Sequence, residues 1–287
     1  MSRARWAALV FGTLGLGSAA AVIGVGSLLT APVTRTIGPP PEDLNAESLT
    51  ISSASGSTLA AWHVPADSAQ RAVVLLHGIR ADRLALVDRA RLFREAGYHV
   101  LLFDFQAHGE SPGERITLGW RERHDAVAAV RWMRGRHPGV PVAVVGQSMG
   151  GAAALYAGPD LDADALVVES VYGSIREATE NRIAMRLGAP GRWLAPVLTA
   201  QMRVRLGVSP DRLQPAEAVR QITAPILIAG GTEDAHASAE EVRRIHAHAP
   251  EPKALWMVEG AAHQDLHAFD AAAYRAAVLP WLDDTLR

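Results

Sequence analysis

Ser148 lies in the stretch VVGQSMGG, residues 144–151, with Gly146 two positions before it and Gly150 and Gly151 just after it. An apolar run leads into the serine and an alanine-rich stretch leaves it, so the hydroxyl stands where a short buried strand turns into a helix. Exposing a side chain at the tip of so sharp a turn demands a cramped backbone, and side chains two residues to either side would collide with it. Gly146 and Gly150 remove that collision, and Gly151 lets the helix lie close to the sheet. The start of the helix then aims free N–H groups at negative charge developing beside the hydroxyl. These are parts of an acyl-transfer nucleophile, which still lacks a base to take its proton as it attacks.

Eleven histidines could supply that base, and there is no cysteine. The missing thiols exclude disulfides, thiolate metal sites and a cysteine nucleophile, without fixing the compartment. No histidine pair has zinc spacing with carboxylates around it, so neither metal nor cofactor is expected. His246 and His248 fall on a polar helix, and His99, His124, His137 and His267 read as surface or packing residues.

The elements that must position these groups follow one rhythm. After an antiparallel pair, SLTIS and STLAAWHVP, come six short apolar runs: RAVVLLHG, YHVLLFD, PVAVVG, ALVVES, PILIAG and ALWMVEG. Each ends in Gly, Asp, Glu or Ser, as buried parallel strands do, and helical patterns with glycine endings lie between them. The expected fold class is α/β, a mostly parallel sheet of about eight strands covered by helices on both faces. In such a sheet reactive groups gather beyond the carboxyl ends of the strands, where Ser148 lies. The interval 171–224 has no strand signal and reads as a helical insertion over one edge, a small cap.

On Gly146, Gln147, Ser148, Met149 and Gly150, a GxSxG motif between strand and helix, the sequence resembles the serine-hydrolase branch of the α/β-hydrolase superfamily over roughly residues 48–287. LLHGIR, at the end of an earlier strand, resembles the family's oxyanion loop. The resemblance implies that the backbone N–H groups of Ile79 and Met149 hold the oxyanion, with His77 fixing loop geometry. LIAGGTEDAH matches the family's setting for the triad acid and implies Asp234, with Glu233 a solvated neighbour and Glu169 an alternate acid from the preceding strand. VEGAAHQDL, after the last strand, implies His263 as the base. FDFQAHGESPGE resembles the loop after the fourth strand with one glycine of its pattern replaced, so Asp104 and Ser111 are expected to organise that loop and His108 to reach toward the cleft mouth.

Upstream, Trp6 to Ala31 carry no charge over 26 residues, which as a helix would extend roughly 39 Å. Residues 1–31 therefore read as an uncleaved membrane anchor, with a cleaved signal segment or a buried helix as alternatives. Arg3 and Arg5 precede the run and favour a single pass with the catalytic domain outside the cytoplasm, or secretion if the segment is cleaved. Residues 32–47, with three consecutive prolines, read as a linker, and 48–287 as one domain. With 28 basic against 30 acidic residues, no nucleic-acid partner is expected. The implied activity is hydrolysis of a small ester or lipid through an acyl-enzyme. An acylaminoacyl-type peptidase, a thioesterase and a non-catalytic hydrolase-fold scaffold are the alternatives.

Overall fold

β-Branched runs form the central strands and alanine- and leucine-rich runs the flanking helices in the computed structural model, which describes residues 23–287. Residues 23–29 are helical (α1). Then follow β1 (Val33–Thr34), β2 (Glu47–Ser52), β3 (Thr58–Val64), β4 (Arg71–Leu76), α2 (Val87–Glu95), β5 (Tyr98–Phe103) and β6 (His108–Gly109). The middle of the chain forms α3 (Glu122–Arg136), β7 (Val142–Gln147), α4 (Met149–Ala157) and β8 (Ala165–Glu169). The interval after β8 is helical, with α5 (Ile175–Leu187), α6 (Ala195–Ala200), α7 (Met202–Leu206) and α8 (Pro215–Ala218). β9 (Ile226–Gly231), α9 (Ala239–His248), β10 (Lys253–Val258), α10 (Leu266–Phe269) and α11 (Ala271–Thr285) complete the chain.

Eight strands form one sheet in the order β10-β9-β8-β7-β4-β5-β3-β2. β3 runs antiparallel to both β2 and β5, and the other pairings are parallel, which is the α/β-hydrolase architecture. Alternation along β4 shows why its strand is apolar throughout. Val74 and Leu76 face the core under α3 and α4, whereas Val73 and Leu75 face the core under α2 and α11. Leu76 of β4 pairs with Gly146 of β7, so the loop leaving β4 emerges beside the turn that leaves β7.

The segment 32–47 is strapped to the domain rather than left as a free spacer. β1 pairs in parallel with β6, Ile37 N–H donates to Glu110 Oε1 at 2.9 Å, and Arg91 reaches Asp43 at 2.6 Å. Among the described residues no helix is long and apolar enough to cross a membrane. Residues 6–22 of the uncharged run lie outside the described residues.

A buried ion pair ties the two ends of the domain together. Arg89 of α2 meets Glu169 at the end of β8 at 2.7 Å and Asp265 at 2.8 Å, with Arg89 and Glu169 side chains only 1% and 0% exposed. The Tyr274 hydroxyl of α11 donates to Glu169 Oε1 at 2.6 Å. Burial pushes the Arg89 guanidinium's pKa down, but Glu169, the Tyr274 hydroxyl and Asp265 outweigh it and hold the group well above its ordinary value. Glu169 therefore serves the fold as a counter-ion. Glu169→Gln should destabilise the domain by about 3 kcal/mol, because removing one partner leaves a buried charge. Arg89→Met combined with Glu169→Leu should recover part of that loss, as measured by urea unfolding.

Candidate active site

β7 delivers Ser148 into a backbone conformation that a residue with a side chain rarely adopts, φ 50° and ψ −113°, and α4 starts at the next residue. Its N–H is held by the Glu169 carbonyl at 2.8 Å, which ties the turn to the neighbouring strand. The flanking glycines have specific neighbours. A Cβ on Gly146 would lie 2.8 Å from the backbone of Gly151, and one on Gly151 would lie 2.8 Å from the Gly146 carbonyl. A Cβ on Gly150 would meet the carbonyl oxygens of Leu76 and His77 at 2.6 and 2.7 Å. Gly150 is thus demanded by the strand next door rather than by the turn alone.

The three side chains expected from the sequence come together. The Ser148 hydroxyl donates to His263 Nε2 across 3.3 Å, and His263 Nδ1–H donates to Asp234 Oδ2 at 2.7 Å. That second bond puts the proton on Nδ1 and leaves the Nε2 lone pair toward the serine. The Asp234 side chain is fully buried, and its other oxygen accepts the backbone N–H groups of His236 and Ala237 at 2.8 and 2.9 Å. Its two oxygens are therefore assigned, one to the loop and one to the imidazole. Glu233 is exposed, as expected for a neighbour, and Glu169 is committed to Arg89 and Tyr274.

Ile79 and Met149 lie with Ser148 on the wall of one cavity of about 180 Å³. Met149 is the first residue of α4, so its N–H has no intrahelical acceptor. Two histidines hold the loop that carries Ile79. His77 is fully buried, donates through Nδ1 to the Gly78 carbonyl at 2.8 Å and accepts the Phe105 N–H through Nε2 at 3.0 Å. Burial pushes its pKa down to about 3, so it is neutral in the folded protein. His108 departs from its expectation. It is buried instead of reaching the cleft mouth, donating to the Gln106 carbonyl at 2.9 Å and accepting the Arg80 N–H at 3.2 Å.

Asp104 and Ser111 organise the neighbouring loop. Asp104 accepts the N–H groups of Arg83 and Glu110, each at 2.8 Å, and pairs with the Arg83 guanidinium. Burial raises its pKa to about 6 against those bonds. Ser111 donates to the Asp104 carbonyl at 2.7 Å and accepts from Ala60 N–H at 2.9 Å. Gly109, at φ 50°, passes so close that a Cβ there would strike the Asp104 carboxylate.

Sequence reasoning missed several groups at this site. His236 lies beside His263, ring centroids 4.9 Å apart, and burial with Arg182 nearby lowers its pKa. Tyr172 and Arg182 enter the cavity wall from the cap, and Gly26, Leu29 and Thr30 enter it from α1. No motif marks these residues, since only packing brings them to the serine. His63, His99 and His137 also converge, within 4.8 Å by their ligand atoms, at the amino ends of the parallel strands, the opposite end from Ser148. The His99 and His137 rings stack at 3.7 Å, and Ala66 N–H donates to His99 Nδ1, which puts that ring's proton on Nε2. Burial holds all three rings below their ordinary pKa.

Known proteins resemble this chain over most of its length. The family described as serine aminopeptidase, S33, matches residues 67–214. The uncharacterized protein YqkD of Bacillus subtilis is 25% identical over 248 residues, covering 85% of this chain and 81% of YqkD. The mouse lysophosphatidylserine lipase ABHD12 is 29% identical over 128 residues, which is 42% of this chain and 32% of that protein. The solved structure of the Pyrococcus furiosus esterase Pf2001 superposes with a TM-score of 0.73 at 20% identity, covering 90% of this chain and 99% of that one.

Two predictions follow from this geometry. Gly150→Ala should cost about 2 to 3 kcal/mol by overpacking against the β4 backbone and should displace the amide at 79. Gly78→Ala, whose Cβ would have only ordinary contact with Ser148 at 3.7 Å, should leave unfolding unchanged. Equal destabilisation of the two in urea would remove the close-approach account. His77 is neutral when folded, while the unfolded chain takes up a proton below about pH 6.5. Its contribution is therefore complete above pH 6.5 and is lost as pH falls toward 3, at up to about 1.4 kcal/mol per unit. Unfolding measured across that range should show the wild type losing its advantage over His77→Asn as the solution is acidified.

Proposed function

Because this chain belongs to the serine aminopeptidase S33 family, we propose that it is a serine hydrolase that cleaves carboxylic esters through an acyl-enzyme, with Ser148, His263 and Asp234 as its triad. The hydrogen-bonded line from Ser148 through His263 to the buried Asp234, at the foot of an apolar cavity, carries this reading. Ser148 Oγ attacks the ester carbonyl carbon as His263 Nε2 takes its proton, and Asp234 steadies the imidazolium. The carbonyl oxygen becomes an oxyanion facing the amides of Ile79 and Met149, where losing one donor would cost about 3 kcal/mol. His263 then protonates the departing alcohol, leaving Ser148 acylated. A water deprotonated by the same imidazole attacks the acyl carbon, and the acid leaves as Ser148 recovers its proton.

The family description names a peptidase, yet the cavity favours an ester. An aminopeptidase must hold its substrate's ammonium group, and among the described lining residues there are three arginines (Arg80, Arg182 and Arg205) and no carboxylate. The lysophosphatidylserine lipase named above points the same way, toward an ester with an apolar chain. The uncharged run Trp6–Ala31 behind Arg3 and Arg5 supports a membrane tether with the domain outside the cytoplasm.

Fluorophosphonate labelling of the full chain should be strong in wild type and absent in Ser148→Ala. An unlabelled wild type would leave only the scaffold reading. His263→Ala should lower kcat by a factor on the order of 10⁴ or more, and Asp234→Asn by about 10⁴, with folding intact by circular dichroism. In a panel of p-nitrophenyl esters against aminoacyl amides, esters should be preferred, and a preference for amides would replace the ester assignment with the peptidase one. In fractionated cells, alkaline carbonate should leave the chain in the membrane pellet, and its release would remove the tether.

A further inference from the structure

The cavity above Ser148 has an unusual wall. It is built from Leu198, Met202 and Leu206 of the cap together with Gly26, Leu29 and Thr30, the end of the uncharged N-terminal run. α1 is fastened in that place. The Arg205 guanidinium donates to the Ile23 carbonyl at 3.3 Å and to Thr30 Oγ1 at 3.1 Å, and Arg80 donates to the Leu28 carbonyl at 3.3 Å. At Gly26 the helix comes so near the cap that a Cβ would lie 2.2 Å from Arg205 Nη1. α1 and α7 thus close the cavity together.

The outer surfaces of the same elements are apolar. Of thirteen large hydrophobic side chains left exposed among the described residues, ten fall within 23–29 and 185–204. Trp193 and Val204 are 87% and 90% exposed. A concentration of this kind on one part of a domain marks a contact surface. Its charge is also one-sided, for residues 181–210 hold five arginines and no aspartate or glutamate, and Arg186, Arg192 and Arg203 are exposed. Apolar tips interleaved with arginines suit an interface with acyl chains below and anionic headgroups at the level of the guanidinium groups. What selects a membrane over a protein partner is continuity, since the run that ends in α1 extends back to Trp6 without a charge.

We propose that α1 and the α5–α7 cap form one docking surface for an anionic lipid bilayer, through which a single-chain amphiphilic ester passes from the lipid directly to Ser148. This rests on the ester-hydrolase reading for the fate of the substrate, whereas the docking itself does not. α1, the described end of the N-terminal run, acts here as part of the substrate's entry. The cavity, about 180 Å³ and largely apolar in its lining, would receive the acyl chain and bring the ester linkage to Ser148.

Because the chain has no cysteine, single cysteines can be labelled without background. The full chain carrying Val204→Cys, or Glu95→Cys as a control on the opposite face of the sheet, is labelled with an environment-sensitive fluorophore. It is then reconstituted in vesicles of phosphatidylcholine alone or mixed equally with phosphatidylglycerol. The label at 204 should shift to the blue and be quenched by nitroxide lipids in the anionic vesicles, less so in the neutral ones, while the label at 95 stays as in water. A label at 204 as wet as that at 95, or one indifferent to phosphatidylglycerol, overturns the proposal. In a second arm, R186Q/R192Q/R203Q should lower hydrolysis of a long-chain ester embedded in anionic vesicles several-fold, with a soluble short-chain ester turned over as before. Equal loss on both esters, or loss on neither, counts against docking. Since the fluorescence arm needs no turnover, failure of docking and failure of the ester reading appear separately.

Discussion

The close approach between the turn at Ser148 and the end of β4 is the constraint on which the site depends. At φ 50° the serine backbone is strained, and the strain persists because neighbours on every side leave no alternative path. Leu76 pairs with Gly146, the Glu169 carbonyl holds Ser148 N–H, and Gly150 passes the Leu76 and His77 carbonyls with no room for a methyl group. That approach places the first amide of α4 beside the loop carrying Ile79. Loosening the turn would separate Ser148 from both of the amides proposed to face the oxyanion.

Polar groups buried around this turn do mechanical work away from the reacting atoms. His77 and His108 are each bonded through both ring nitrogens to backbone, and burial keeps them neutral, so they brace the loop as fixed amide-like struts. Asp104 does the same for the next loop with charge, collecting backbone N–H groups and a guanidinium. Arg89 and Glu169 extend this framework to α2, α11 and the loop after β10 that presents His263. A loop held only by solvent-exposed bonds would let the imidazole drift from the serine; one anchored to buried charges does not.

Above this rigid base the cap is of a different character. It is a run of helices with exposed apolar and cationic side chains, and it meets α1 through Arg205, which donates to the Ile23 carbonyl and to the Thr30 hydroxyl oxygen. The chemistry is thus set in the sheet, while the access to it is set by elements whose outer faces are unfinished in isolation. This division is what the proposed entry of substrate from a lipid phase requires.

The sequence by itself determined the alternation of strands and helices, the serine turn and the helical interval between β8 and β9. Those features are written in local periodicity and in the glycines of the turn, although the need for Gly150 comes from the neighbouring β4. Ser148 was legible in its own motif, and Asp234 and His263 through the resemblance to the α/β-hydrolase superfamily; their places after strands that end at one edge of a parallel sheet made their convergence plausible. Local signals stop short of contacts between distant segments. The burial of His108, the pairing of Glu169 with Arg89, the strapping of residues 32–47 to the domain and the entry of α1 into the cavity wall had no motif. They depend on side chains 28 to 182 positions apart, such as Arg80 with His108 and Arg205 with Ile23. Only the tertiary structure could decide them, because burial and charge pairing are properties of the packed whole, whereas a sequence pattern records the conformational preferences of its own few residues.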